Sequence, residues 1–408
     1  MEEWKLTKLG SICKRICSGG TPKSTVDEYY GGGIPWLNTK EVNFNRIYST
    51  ESTITELGLE NSSAKWIDKN AVIVAMYGAT AAKCAIGKIP MTTNQACCNL
   101  MIDEQKADYR FVYYALVNSY SVLASLANGG AQQNLSVQLI KDFEIAIPAL
   151  DTQKRIADIL SSFDEKIENN TRINHNLEEQ AKALYKSWFV DFEPFKDVKF
   201  VDSELGMIPE GWHVVRAEDI CPINIGKTPP RKDSEWFSAN NEDHTWVSIS
   251  DMSDCGTYID ASSETLTHEA VRKFNIAIVP AGSVLLSFKL TIGRVAIADK
   301  DLTTNEAIAR FVTNSPALTN YLYLALKDYD YSKLGSTSSI ATAVNSKIIK
   351  AMPLLYPGRC VINQFAEVVE GLFKEIRKRQ RENKILADLR DLSLPRLMSG
   401  DIIPFATC

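Results

Sequence analysis

Gly226-Lys-Thr228 is the stretch that most invites a chemical reading, because it matches the tail of a phosphate-binding loop. The remainder of that loop is missing. Position 221 is Cys where the first glycine must stand, and Pro229-Pro230 follow where a helix should begin. No G-x-G-x-x-G occurs, Gly31-Gly-Gly33 reads as a loop, and neither Asn-Pro-Pro-Tyr nor Asp-Pro-Pro-Tyr, an element of amino-methyltransferases, is present. Ser18 lies in Ser-Gly-Gly rather than in a nucleophile elbow. The nine cysteines (13, 17, 84, 97, 98, 221, 255, 360, 408) and four histidines (175, 213, 244, 268) show no ligand spacing, and an odd thiol count reads as free cysteines. Catalysis by this chain alone is therefore not expected, and no metal. What the chain offers instead are groups suited to reading another molecule. Gly129-Gly-Ala-Gln-Gln-Asn134 gathers three amides, Gln132, Gln133 and Asn134, in a glycine-flexible loop. Paired amide donors and acceptors match the N6/N7 edge of adenine, although solvent satisfies them equally well.

Those groups sit in a sequence that is written twice. Thr92-Thr-Asn-Gln-Ala96 recurs as Thr303-Thr-Asn-Glu-Ala307 at an offset of 211. At the same offset Tyr77-x-x-Thr80-x-x-Lys83-x-x-Ile86 matches Phe288-x-x-Thr291-x-x-Arg294-x-x-Ile297. Gly20-Thr-Pro22 matches Lys227-Thr-Pro229, and Pro35-Trp36 aligns with Thr245-Trp246. Colinear matches of this kind mark an internal duplication. The amide loop has as its counterpart Gly335-Ser-Thr-Ser-Ser-Ile340, in which hydroxyls replace amides. Lys83 and Arg294 occupy matched positions and suit phosphate contacts or a plain solvated surface. Trp36 and Trp246 read as core residues.

Each half opens with short apolar runs broken by Gly, Pro, Asn and Ser, among them 71–76, 144–147, 276–279 and 283–287, which predict strands. Helices are expected at 109–125 and near 318–329. Each half then becomes one long helix. Ile156, Leu160, Phe163, Ile167, Asn170, Asn174, Leu177, Ala181, Leu184 and Trp188 alternate in steps of four and three, and Phe365, Val369, Leu372, Ile376, Arg379, Asn383 and Leu386 repeat the phase. That spacing predicts a coiled-coil seam, with the two helices antiparallel and Asn170, Asn174, Arg379 and Asn383 fixing register. Pro148 to Asp151 and Pro357-Gly358 mark the helix starts, with Asp151 as the expected cap. The division is 1–150 and 196–357 for the mixed domains, and 151–195 and 358–408 for the helices. The fold class is α+β: two pseudo-repeated mixed α/β domains separated by two long antiparallel helices.

Forty-five Lys and Arg against 50 Asp and Glu leave a net charge of −5, and no segment has a large basic excess. This excludes a uniformly basic nucleic-acid coat, not a local footprint. No run approaches ~18 apolar residues, and the start Met1-Glu-Glu-Trp-Lys5 is unlike a secretory signal, so a cytoplasmic location without a membrane is expected.

Read together, Gly19-Gly-Thr-Pro22, Ile34-Pro-Trp36, the Thr-Thr-Asn-Gln/Glu-Ala strands, Thr152 through Leu160, Trp188-Phe-Val-Asp-Phe-Glu193 and Ile208-Pro-Glu-Gly-Trp212 resemble the specificity (S) subunit of type I restriction–modification enzymes. The resemblance spans essentially the whole chain. Pro229-Pro-Arg231, and Thr245 in place of Pro before Trp246, depart from the pattern of the first copy. The resemblance implies a non-catalytic subunit in which each mixed domain is a target recognition domain reading half of a bipartite, asymmetric site in double-stranded DNA. It implies that the helices set the gap and dock two modification (methyltransferase) subunits. Those would use S-adenosylmethionine to methylate adenine N6, with restriction (translocase/endonuclease) subunits using ATP and Mg in defence against foreign DNA; this chain would bind no cofactor. The DNA-binding candidates are Thr21, Lys23, Lys83, Gln132, Gln133, Asn134, Thr228, Arg231, Arg294, Ser336 and Ser338. The candidates for the spacer helices and partner docking are Ile167, Asn174, Leu177, Trp188, Ile376, Asn383 and Leu386. The competing functions are a protein-binding adaptor built on duplicated domains and a stand-alone nuclease or methyltransferase; the missing cofactor motifs oppose the latter. A helix over 152–188 would be near 55 Å long at ~1.5 Å per residue, and the gap between half-sites should follow the helices.

Overall fold

A computed structural model describes residues 4–127, 134–238, 240, 242–334 and 344–402. The chain divides into two units, Met1–Ile167 with Ile385–Cys408, and Glu168–Lys384. In the first unit a five-stranded sheet runs in the order Cys13–Ser18, Cys97–Ile102, Val72–Ala75, Cys84–Gly87, Asn45–Ile47, antiparallel except for the last pair. Alternation along Val72–Ala75 explains its uniformly apolar sequence. Val72 and Val74 face a core containing Phe111, Ile156, Leu160 and Leu397, while Ile73 and Ala75 face a second core containing Leu37 and Met91. A smaller sheet sets Tyr30–Leu37 antiparallel to Ser52–Ile54 and parallel to Thr92–Thr93. Lys5–Lys8 pairs with Glu144–Ile147, the strand that leads into the first long helix.

The second unit repeats this plan in the order Ile223–Ile225, Ile308–Phe311, Val284–Ser287, Val295–Ala298, Tyr258–Ile259. Its smaller sheet joins Phe237–Ser238, Thr265–Leu266, His244–Val247 and Thr303–Thr304. Within the mixed domains three sequence expectations change. Residues 276–279 form no strand; only Val279 bridges to Leu302, since Asn275 before it has φ 48° and Ile278 points to solvent. The helix expected at 109–125 is two, Tyr109–Asn118 and Tyr120–Ala127, broken where Asn118 and Ser119 disfavour helix interior. The Thr-Thr-Asn segments are two-residue strands followed by a turn.

The long helices are Leu150–Phe189 and Arg359–Met398, 40 residues each. Asp151 lies inside the first turn instead of capping it. The seam is not uniform. Ile156, Ala157 and Leu160 are buried in the first unit's core, whereas Ala181, Tyr185 and Phe189, at a strict spacing of four, are buried in the second unit's core with Ile362, Phe365 and Val369. Between them the helix is half-buried and polar. Asn170, fully buried, donates its amide to Glu382 Oε2 at 2.8 Å and Asn383 Oδ1 at 2.9 Å, and Arg379 Nη1 donates back to Asn170 Oδ1 at 3.3 Å. Asn174 Nδ2 donates to the Ile376 carbonyl at 3.3 Å. Position 170 meeting 383 while 174 meets 376 makes the two segments antiparallel. Ile376 is buried, Ile167, Leu177 and Leu386 are half-buried, and half-buried Trp188 packs on Phe365 with ring centroids 5.5 Å apart. No described helix is long and apolar enough to cross a membrane.

Candidate nucleic-acid interface

At one end of the five-stranded sheet four chain segments meet in the first unit, and three of their counterparts are described in the second. In the first unit the strand Cys13–Ser18 delivers Gly19–Lys23, the strand Val72–Ala75 delivers Tyr77–Lys83, and Thr92–Ala96 precedes the strand at Cys97. The N–H groups of Ala96's neighbourhood close the turn: Ala96 N–H donates to Asn94 Oδ1 at 3.1 Å, and Met76 N–H donates to the Ala96 carbonyl at 2.8 Å. Leu135 N–H donates to the Met76 carbonyl at 2.8 Å, which brings exposed Asn134 to the same end. Gln132, Gln133, Ser336 and Ser338 lie outside the described residues.

The two units build this end with the same bonds. Gly20 N–H donates to the Thr93 carbonyl at 2.8 Å, and Lys227 N–H to the Thr304 carbonyl at 3.0 Å. Trp36 Nε1 donates to the Gly20 carbonyl at 2.9 Å, and Trp246 Nε1 to the Lys227 carbonyl at 3.1 Å, so both tryptophans are buried braces and not stacking platforms. Glycine is required at 19 and 226 because the loop rides directly on the turn. A Cβ at Gly226 would stand 2.0 Å from the Asn305 carbonyl oxygen and 2.2 Å from that of Thr304, and one at Gly19 2.1 Å from that of Thr93. Gly226→Ala is therefore expected to lift the loop and cost about 1–3 kcal/mol by overpacking. Chemical denaturation checks it; an unchanged midpoint would show that the loop yields freely.

Within Thr-Thr-Asn-Gln/Glu-Ala, only the fourth side chain is exposed: Gln95 in one unit, Glu306 in the other. Thr21 Oγ1 donates to Gln95 Oε1, and Thr228 Oγ1 donates to Glu306 Oε2. Burial alone would raise the Glu306 carboxyl, but the Thr228 hydroxyl, its own backbone N–H and the cations Lys289 and Arg231 hold it below the usual carboxylate range. Neither Gln95 nor Glu306 was among the sequence candidates. The available signal was the single mismatch inside an otherwise repeated motif.

The candidate cations differ in how committed they are. Lys23 is exposed. Lys83 Nζ donates to Asn43 Oδ1 at 2.7 Å, and Arg294 Nη1 to the Ile249 carbonyl at 2.7 Å. Arg231 is paired with both oxygens of Glu264 at 2.8 Å, with its guanidinium carbon 4.4 Å from the ring centre of Phe237 and 4.6 Å from that of Trp246. Beneath the same end, buried Arg310 donates to the carbonyls of Ile225 and Ala277 at 2.8 and 2.9 Å, and burial lowers its pKa. The apex of the second unit's loop carries Leu290, wholly exposed at φ 60°, where the first unit has Ala79.

No groups of three or more His, Cys, Asp or Glu that could hold a metal ion occur among the described residues. Burial pushes the thiols of Cys13 and Cys98 up to about 12, leaving them protonated and unreactive. The Lys227 amine, which a phosphate loop would aim at its ligand, instead donates to the carbonyls of Phe274 and Asn275 at 3.3 and 3.1 Å.

Comparison with known proteins agrees with this duplicated plan. Across 98% of its length the chain is 28% identical to the type I restriction enzyme MjaIX specificity subunit of Methanocaldococcus jannaschii, covering 94% of it. It is 23% identical over 98% of its length to all of the HindI specificity subunit of Haemophilus influenzae. The crystal structure of the type I restriction–modification S subunit from M. genitalium shares the fold, with a TM-score of 0.57 at 15% identity over 100% of this chain and 97% of that one. The family model described as "Type I restriction modification DNA specificity domain" matches twice, at residues 1–179 and 209–387, one match for each copy of the repeat. With both copies matched and most of the chain covered, this protein belongs to the type I restriction–modification DNA specificity family.

Proposed function

We infer that the chain is the DNA-specificity subunit of a type I restriction–modification complex. Its two recognition domains, 1–150 and 196–357, each read half of a bipartite site in double-stranded DNA, and the helices at 151–195 and 358–408 dock modification subunits. The observation that carries this reading is the repeated sheet end: one backbone scaffold, bonded identically in both units, presents different exposed side chains in each. Duplicated scaffold with divergent tips is what reading two unlike half-sites requires. A peptide-binding adaptor needs no such divergence. In this reading methyl transfer to adenine N6, with S-adenosylmethionine, resides in the modification subunits. ATP- and Mg-dependent translocation and cleavage reside in restriction subunits, in the cytoplasm. Two like docking surfaces for two modification subunits follow from the duplication.

The test is a swap. Residues 1–150 are replaced by the equivalent segment of a relative, and the methylated sites of cells carrying the hybrid with its partner subunits are sequenced. One half of the motif should change while the other persists. Loss of both halves would show that the domains read DNA jointly.

A further inference from the structure

We propose that Glu306 is a base-reading residue of the second recognition domain, accepting a hydrogen bond from an exocyclic amino group, cytosine N4 or adenine N6, in the major groove. The inference rests on the DNA-specificity reading above. Its argument begins with a cost. A surface that meets a polyanion repels a fixed carboxylate, yet the carboxylate here is exposed and held ionised by Thr228, with Lys289 exposed nearby.

The molecule supplies its own control. Gln95 occupies the matched position in the first unit and accepts from Thr21 as Glu306 accepts from Thr228, while in both units the turn itself is closed by the preceding asparagine, Asn94 or Asn305. The anchoring is thus done equally well by an amide, so the negative charge at 306 serves something other than the fold. A carboxylate has about four acceptor sites, and Thr228 and the residue's own backbone N–H occupy two, which leaves room for a base amino group. Carboxylates accept from the amino edge of cytosine, whereas Gln pairs with adenine through its paired donor and acceptor. The backbone around position 306 is stiff, since Asn305 N–H bonds the Val247 carbonyl at 2.9 Å and Phe288 N–H bonds the Ala307 carbonyl at 2.9 Å. A side chain on such a turn is placed well enough to discriminate bases.

The experiment uses the full chain with its modification subunits and reads the methylated motif by sequencing. Glu306→Gln is isosteric and reproduces the Gln95 arrangement, so folding is retained. One base pair in the half-site assigned to the second domain should lose about ten- to hundredfold discrimination against the other pairs. Whether that pair is C·G or A·T separates cytosine N4 from adenine N6. The half-site of the first domain should be unchanged, and Gln95→Glu should alter that half alone. An unchanged motif for Glu306→Gln, or a change in the first domain's half, overturns the proposal while leaving the DNA-specificity reading intact. A wild-type motif that is not bipartite overturns both.

Discussion

Replacing Phe365 by alanine should destabilise the second unit by about 3–5 kcal/mol, the range for deleting a buried aromatic ring. Phe365 is fully buried, and its ring lies 4.9 Å from that of Phe189, 5.5 Å from Trp188 and 6.3 Å from Tyr185, centroid to centroid. Those three residues come from the first long helix and Phe365 from the second, so this cluster ties both helices to the second unit's core. The cavity left by alanine has few ways to collapse, because Phe189 is already wedged against Tyr321 and Trp212 at 5.0 and 5.8 Å. Edge-to-face ring contacts add to the loss. A loss near 4 kcal/mol is a large part of a domain's ~5–15 kcal/mol. Denaturant titration of the full chain is the measurement, with Phe365→Leu as the milder partner. A midpoint shift equivalent to less than about 1 kcal/mol for the alanine variant would mean that the cluster is not a core.

Lengthening both helices by one heptad should widen the unread gap of the DNA target without altering either half-site. Seven helical residues add ~10 Å, about three base pairs at ~3.4 Å each. The place of insertion matters. A break after Ala181 or Arg390 would be destructive: Ala181 is fully buried in the second unit's core, and Arg390 Nη1 holds Asp164 Oδ1 at 2.7 Å, with Tyr114 Oη on the same carboxylate. Insertion between Ile167 and Glu168, matched by one between Lys384 and Ile385, spares the internal contacts of each unit. It also keeps Asn170 with Asn383, and Gln380 with the Tyr258 backbone that it bonds at 3.0 Å. Sequencing of methylated sites decides the outcome. An active variant with the original gap would show that the helices do not set the spacing.

The duplication, the paired long helices and the family resemblance were all legible in the sequence, because each is a pattern of residue types at fixed spacing. Strands such as Val284–Ser287 and Glu144–Ile147 were legible for the same reason: a short apolar run between turn residues has few other uses. The polar interruptions at Asn170 and Asn383 were also visible, since a break in a heptad pattern marks itself. Tertiary structure alone decided how each helix is shared. Tyr185 and Phe189 fall outside a four–three seam, and only the presence of a sheet-bearing core beside Ala181 makes a spacing of four the buried face. It also decided that Arg231 is occupied by Glu264 and two aromatic rings, a partnership across 33 residues that no local rule contains. Above all it singled out Gln95 and Glu306. Their neighbours in the motif are drawn inward by bonds to strands and loops distant in sequence, and burial, which depends on what packs from elsewhere, is what leaves one side chain of five facing outward.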